Sequence, residues 1–167
     1  MTAARPPRKR YLYFGVLPLL LGIALAGMSP PASRAVTTER VVVDRHTGLA
    51  LYGVDPVGYF TDGKPVPGLA DFEYGYAGAI WRFHNEGNRA AFAANPDVYM
   101  PRYGGYDPVG ISRGLATPGF PALWVVFDQR LYLFYTTEAR DAFAANAEDL
   151  IATADSKWRE VRLTLAP

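Results

Sequence analysis

Residues 52–60 read YGVDPVGYF, and residues 103–112 read YGGYDPVGIS. A tyrosine and glycine, then Asp-Pro-Val-Gly, occur twice in a chain of 167 residues. Working outward from these stretches, a shift of 51 positions overlays the sequence on itself. IWRFH (Ile80 to His84) falls on LYLFY (Leu131 to Tyr135), and RAAFAAN (Arg89 to Asn95) falls on RDAFAAN (Arg140 to Asn146). One fixed offset through separate blocks marks two copies of one supersecondary unit, at about 52–100 and 103–158. Phe83 and Phe92 are then the equivalents of Phe134 and Phe143.

Each copy carries the same local signals. DFEYGYAGAIWRFH (71–84) alternates apolar residues, breaks at Ala77-Gly78 and resumes, which is a β-hairpin pattern. ALWVVFDQRLYLFY (122–135) is a more continuously apolar hairpin that turns near Asp128-Gln129, as expected of a more buried pair. Asn85 and Thr136 are helix-capping residues ahead of the Ala-rich stretches around Phe92 and Phe143. Pro96 ends the first helix near Asn95. The second has no such stop and is expected to continue through AEDLIATADSKW, with Leu150, Ile151, Ala154 and Trp158 on its apolar face. The fold class is therefore α+β, two tandem hairpin-plus-helix units in one domain spanning 36–167. Within each Asp-Pro, the proline presets a turn and the aspartate can accept from the backbone two residues on, at Val57 or Val109. Gly58 and Gly110 admit a close approach that a Cβ would block. A ligand role for the Asp55 and Asp107 carboxylates is the alternative to this turn-forming one.

The first 35 residues differ from the rest. A basic start (Arg5, Arg8, Lys9, Arg10) precedes an uncharged run over residues 11–33. ALA at 24–26 and SRA at 33–35 fit small-x-small cleavage, as in a secretory signal peptide. The run also reaches the roughly 20 residues that span a bilayer, so a retained inner-membrane anchor fits as well. Both readings export the remainder to the periplasm, and in the anchored form the basic end stays in the cytoplasm. Beyond position 35, 12 basic residues face 16 acidic ones. That balance gives none of the basic stripe of a nucleic-acid binder. The chain has no cysteine, which removes disulfides, thiolate nucleophiles and sulfur-ligated metals together.

From Ala50 to about Trp158 the sequence resembles the YHS-domain family, in particular its small exported branch. The resemblance rests on the Asp-Pro-Val-x-Tyr-Phe run at 55–60, on Phe-x-Ala-x-Pro-x-x-Tyr at 92–99 and on YGGY at 103–106. It implies metal binding, with copper foremost through association with copper-transporting ATPases. Metal-associated members place a cysteine after Asp-Pro-Val and a Cys-x-x-x-Cys pair just after the hairpin. Here those positions hold Gly58, His84 and Asn88, and Asp107 stands where the exported branch often has a cysteine. Any site kept on these positions must use nitrogen and oxygen donors, which suit copper(II) or zinc better than copper(I).

His84 is the leading metal-ligand candidate, with Asp55 and Asp107 as carboxylate partners. A hydrogen-bonded or surface histidine is the plain alternative, and His46 reads as surface. Tyr59, Phe60, Tyr74, Tyr76, Trp81, Tyr103 and Tyr106 could line an apolar pocket for a flat ligand such as heme, or simply form core. No nucleophile–base arrangement, phosphate-cradling loop or paired-carboxylate signature is present, and the Gly-x-Ser-x-Gly letters around Ser112 (GISRG, 110–114) stand alone, without such an arrangement. The sequence thus points to a non-enzymatic binding module for a metal or small ligand centred on His84. Behind it stand a structural or protein-interaction module without metal chemistry and, third, an enzyme using His84 as a general base.

Overall fold

Gly68 and Gly119, 51 residues apart, are pressed against backbone in the same way. A Cβ at Gly68 would stand 2.6 Å from the Arg82 carbonyl carbon, and one at Gly119 would stand 2.7 Å from that of Leu133. Only glycine allows the hairpin to start this close to its partner strand. This register repeats throughout a computed structural model that describes residues 40–165. The signal or anchor reading of residues 1–35, with its membrane association through 11–33, lies outside the described residues. Those residues belong to a compact unit, Ala35–Pro167.

In the first copy a 3-10 turn at Leu51–Gly53 leads into β1 (Val54–Asp55), α1 (Gly58–Thr61) and β2 (Val66–Pro67). The hairpin of β3 (Leu69–Tyr76) and β4 (Ala79–Phe83) follows, then α2 (Glu86–Ala94) and α3 (Pro96–Tyr99). The second copy runs through a 3-10 turn at Arg102–Gly105, α4 (Pro108–Ser112), β5 (Phe120–Phe127), β6 (Arg130–Phe134), α5 (Thr137–Ala145) and α6 (Ala147–Leu163). Both 3-10 turns hold a tyrosine in the left-handed region, with Tyr52 at φ 55°, ψ 28° and Tyr103 at φ 55°, ψ 27°. β1 pairs with β2 through Val54–Pro67 and Asp55–Val66. The second copy reduces this ladder to a Tyr106–Pro118 bridge and an Asp107 N–H donated to the Thr117 carbonyl at 2.8 Å.

The two hairpins turn where the sequence predicts, at Ala77-Gly78 and Asp128-Gln129, each pair with positive φ. Such turns match the right-handed twist of paired strands. Both hairpins are irregular at one equivalent place. Leu69 pairs with Phe83 but Glu73 with Arg82, and Phe120 pairs with Phe134 but Trp124 with Leu133. Two copies sharing a bulge at one offset share an architecture.

Phe92 and Phe143 are fully buried on α2 and α5, each in a cage of rings from its own hairpin. Asn85 and Thr136 cap these helices as expected, accepting from the Asn88 and Ala139 N–H groups. The predicted continuation of the second helix is corrected. The helix breaks at Asn146 (φ −153°, ψ 58°), matching the break at Asn95 (φ −143°, ψ 62°). No proline is required for this, because asparagine competes for local hydrogen bonds and Asn146 Nδ2 donates to Asp149 at 2.9 Å. The expected apolar face survives on α6, where Ala154 is fully buried and Leu150, Ile151 and Trp158 pack against the same core.

Core packing explains why the second hairpin is the more apolar. Leu131 and Leu133 join the cluster around Phe92, while Tyr132 and Phe134 join that around Phe143. Side chains alternate faces along a strand, so β6 separates the two cores and serves both. In β4, by contrast, Trp81 and Phe83 point inward while Ile80 is exposed. The segment ahead of the first copy does the same as β6, with Val41 in one cluster and Val42 in the other.

Candidate functional site

The two Asp-Pro-Val-Gly segments build one device twice. Asp55 Oδ1 accepts from the Val57 N–H at 2.8 Å, and Asp107 Oδ1 accepts from the Val109 N–H at 2.8 Å. These are the turn bonds expected from the sequence. The second oxygen reaches across the chain. Asp55 Oδ2 accepts from the His84 N–H at 2.8 Å, and Asp107 Oδ2 from the Tyr135 N–H at 2.9 Å. His84 and Tyr135 are equivalent residues, each just after the hairpin's second strand. Each carboxylate therefore ties its turn to the junction of strand and following helix. Asn88 adds its Nδ2 to Asp55 Oδ2 at 2.7 Å, and Gly110 N–H lies 3.4 Å from Asp107 Oδ1.

A buried carboxylate requires such partners, because taking a charge from water without them is expensive. Asp55 is 0% exposed and Asp107 3%. With three donors on Asp55, most of the lone-pair directions of a carboxylate are taken.

The structure brings Asp55 beside His84, but through the histidine's backbone. The His84 ring is exposed, its Nδ1 lying 3.4 Å from the Pro67 carbonyl oxygen. Asp107 meets Tyr135 instead, whose exposed ring stacks on Phe120 at 5.4 Å. The expected mixed site of His84 with Asp55 or Asp107 thus finds Asp55 on the His84 backbone and Asp107 on that of Tyr135. Among the described residues no three His, Asp or Glu side chains are grouped to hold a metal. A copper(II) or zinc ion at Asp55 would have to displace N–H groups that have no other partner among the described residues. His46 is exposed, and its backbone N–H closes a turn on Asp44 at 2.7 Å.

The aromatic residues proposed for a heme-type pocket are divided between two cores. Tyr59 and Trp81 are buried in the first, with Phe60, Tyr74 and Tyr76 packed against it, and Tyr103 and Tyr106 are buried in the second. Burial pushes the Tyr59 hydroxyl up, and that hydroxyl donates to the Pro121 carbonyl at 2.9 Å. Ser112 Oγ donates to the Val109 carbonyl at 2.9 Å inside α4.

A feature that sequence reading missed is a cleft of about 660 Å³ lined by Arg40, Arg102, Arg130 and Arg162. Its apolar wall includes Val41, Met100, Tyr103 and Trp158, with the last two rings in edge contact at 5.6 Å. Arg102 is held by Asp155 at 2.6 Å and lies over the Tyr103 ring at 5.3 Å. The Tyr103 hydroxyl donates to the same Asp155 oxygen at 2.9 Å. Burial first, then Asp155, pushes that hydroxyl's pKa up, so it remains a donor. Arg130 donates to the Asp97 carbonyl. Among the described residues Arg40 and Arg162 have no side-chain partner. Spread over four separate segments, the four arginines form no run that a linear reading detects.

Compared with protein-family models, with curated proteins and with solved structures, the chain gives no match.

Proposed function

We propose that this chain is an exported, non-enzymatic binding module in which the two Asp-Pro-Val-Gly segments are scaffold and carry no metal chemistry. One observation supports this above others. Both oxygens of Asp55 and of Asp107 already accept N–H donors that hold turn to hairpin. A metal at either aspartate would compete with these donors for the same oxygens. Binding then falls to surfaces outside the two clamps.

Titration of the full chain in detergent with copper(II) and with zinc tests the reading. The expected result is no saturable stoichiometric binding at micromolar concentration, with His84→Ala indistinguishable from wild type. Stoichiometric binding that His84→Ala abolishes, and that weakens as pH falls through about 6.5 where imidazole protonates, would overturn it.

A further inference from the structure

We infer that the arginine-lined cleft binds a small molecule carrying a doubly charged oxyanion on an apolar body, such as a phosphate monoester or a dicarboxylate. The inference rests on reading the chain as a binding module, and it uses none of the clamp residues.

Charge makes the first argument. From Arg40 to Leu165 the chain has 12 basic and 15 acidic residues, so the body is net acidic. Four of those 12 nevertheless line a single cleft, where among the described lining residues the one acid is Asp97, with Asp155 paired to Arg102 beside it. Asp155 offsets the charge of Arg102, and the remaining three guanidinium groups repel one another unless an anion is shared between them. Guanidinium groups also present planar forks that match carboxylate and phosphate oxygens.

Geometry makes the second. A volume of about 660 Å³ lies within the range of about 300–1,000 Å³ usual for small-molecule sites. Such sites combine an apolar lining with a few placed polar groups, as the wall of Val41, Met100 and Trp158 does here. The arginines are also divided in role. Arg102 is fixed by Asp155 and by the Tyr103 ring, and Arg130 by the Asp97 carbonyl. These two supply a positioned field. Arg40 and Arg162, without a side-chain partner among the described residues, are placed to close on the ligand.

The test is calorimetric titration of the full chain in detergent with phenyl phosphate and with phthalate. Benzyl alcohol serves as the uncharged control with a similar body. Saturable binding of at least one anion is expected at concentrations up to about 1 mM, with none of the alcohol. Arg162→Gln, at an exposed position, should weaken binding about tenfold while leaving the unfolding midpoint unchanged. Raising ionic strength from about 0.1 M to about 1 M, which shortens screening from about 10 Å to about 3 Å, should also weaken it. The stronger of the two anions distinguishes a phosphate from a carboxylate ligand. Absence of binding by both anions overturns the inference, as does equal affinity in wild type and Arg162→Gln. His84→Ala should leave anion binding intact, so failure here and failure of the metal titration remain distinguishable.

Discussion

Phe92→Ala and Phe143→Ala should each lower the free energy of unfolding by about 3–5 kcal/mol, the range for truncating a buried phenylalanine. Both residues are fully buried. Phe92 meets the rings of Trp81 at 4.9 Å, Phe83 at 5.2 Å, Tyr76 at 5.9 Å and Tyr74 at 6.2 Å. Phe143 meets Tyr132 at 4.9 Å, Phe134 at 5.1 Å and Phe127 at 6.1 Å. Rings held by other rings in a strand-and-helix cage cannot easily collapse into the space left, which places the loss at the upper part of that range. Because β6 is shared by both cores, either substitution should lower one cooperative transition and not split it in two. Urea denaturation followed by tryptophan fluorescence checks both points. Leu163→Ala, at a position 77% exposed, is the control and should fall within about 0.5 kcal/mol of wild type. A loss below about 1 kcal/mol at Phe92 or Phe143 would count against the cage.

Asp55→Asn and Asp107→Asn should destabilise by about 2–4 kcal/mol, although they change almost no volume. The amide replaces one accepting oxygen with an N–H group that faces other N–H groups. One charge-assisted bond is lost and a buried donor is left unpaired, each worth about 1–3 kcal/mol. Asp55 should suffer more, because it serves the Val57 and His84 backbone and the Asn88 side chain. Asp107 has two short bonds and one at 3.4 Å. Neither loss should depend on added copper(II) or zinc. A silent Asp55→Asn would remove the clamp from the account.

Most of the architecture was legible because it is local or repeated. The 51-residue offset located both hairpins, both turns, both caps and both central phenylalanines, all of which depend on residues close in sequence. The Asx-turn bonds to Val57 and Val109 were legible for the same reason. What escaped detection depends on pairs distant in the chain. The second oxygens of Asp55 and Asp107 reach 29 and 28 residues on, to groups that every residue type supplies. His84 drew notice for its imidazole, yet the fold uses its backbone N–H, and tyrosine stands at the equivalent position without loss of the clamp. Alternation along β6 between two cores also needed the fold, since a continuous apolar strand reveals burial but not by what. The break at Asn146 was hidden because alanine follows it where proline follows Asn95. The arginine cleft was invisible because Arg40, Arg102, Arg130 and Arg162 meet only after folding.

The central claim is that the repeated aspartates are clamps, complete without metal. Amide hydrogen exchange at His84 and Tyr135 in the metal-free chain measures this most directly, because each N–H has the aspartate oxygen as its partner. Both amides should be strongly protected, to a similar degree, and copper(II) or zinc should change neither. Rapid exchange at His84 or Tyr135 without metal, with protection appearing only when an ion is added, would contradict the claim.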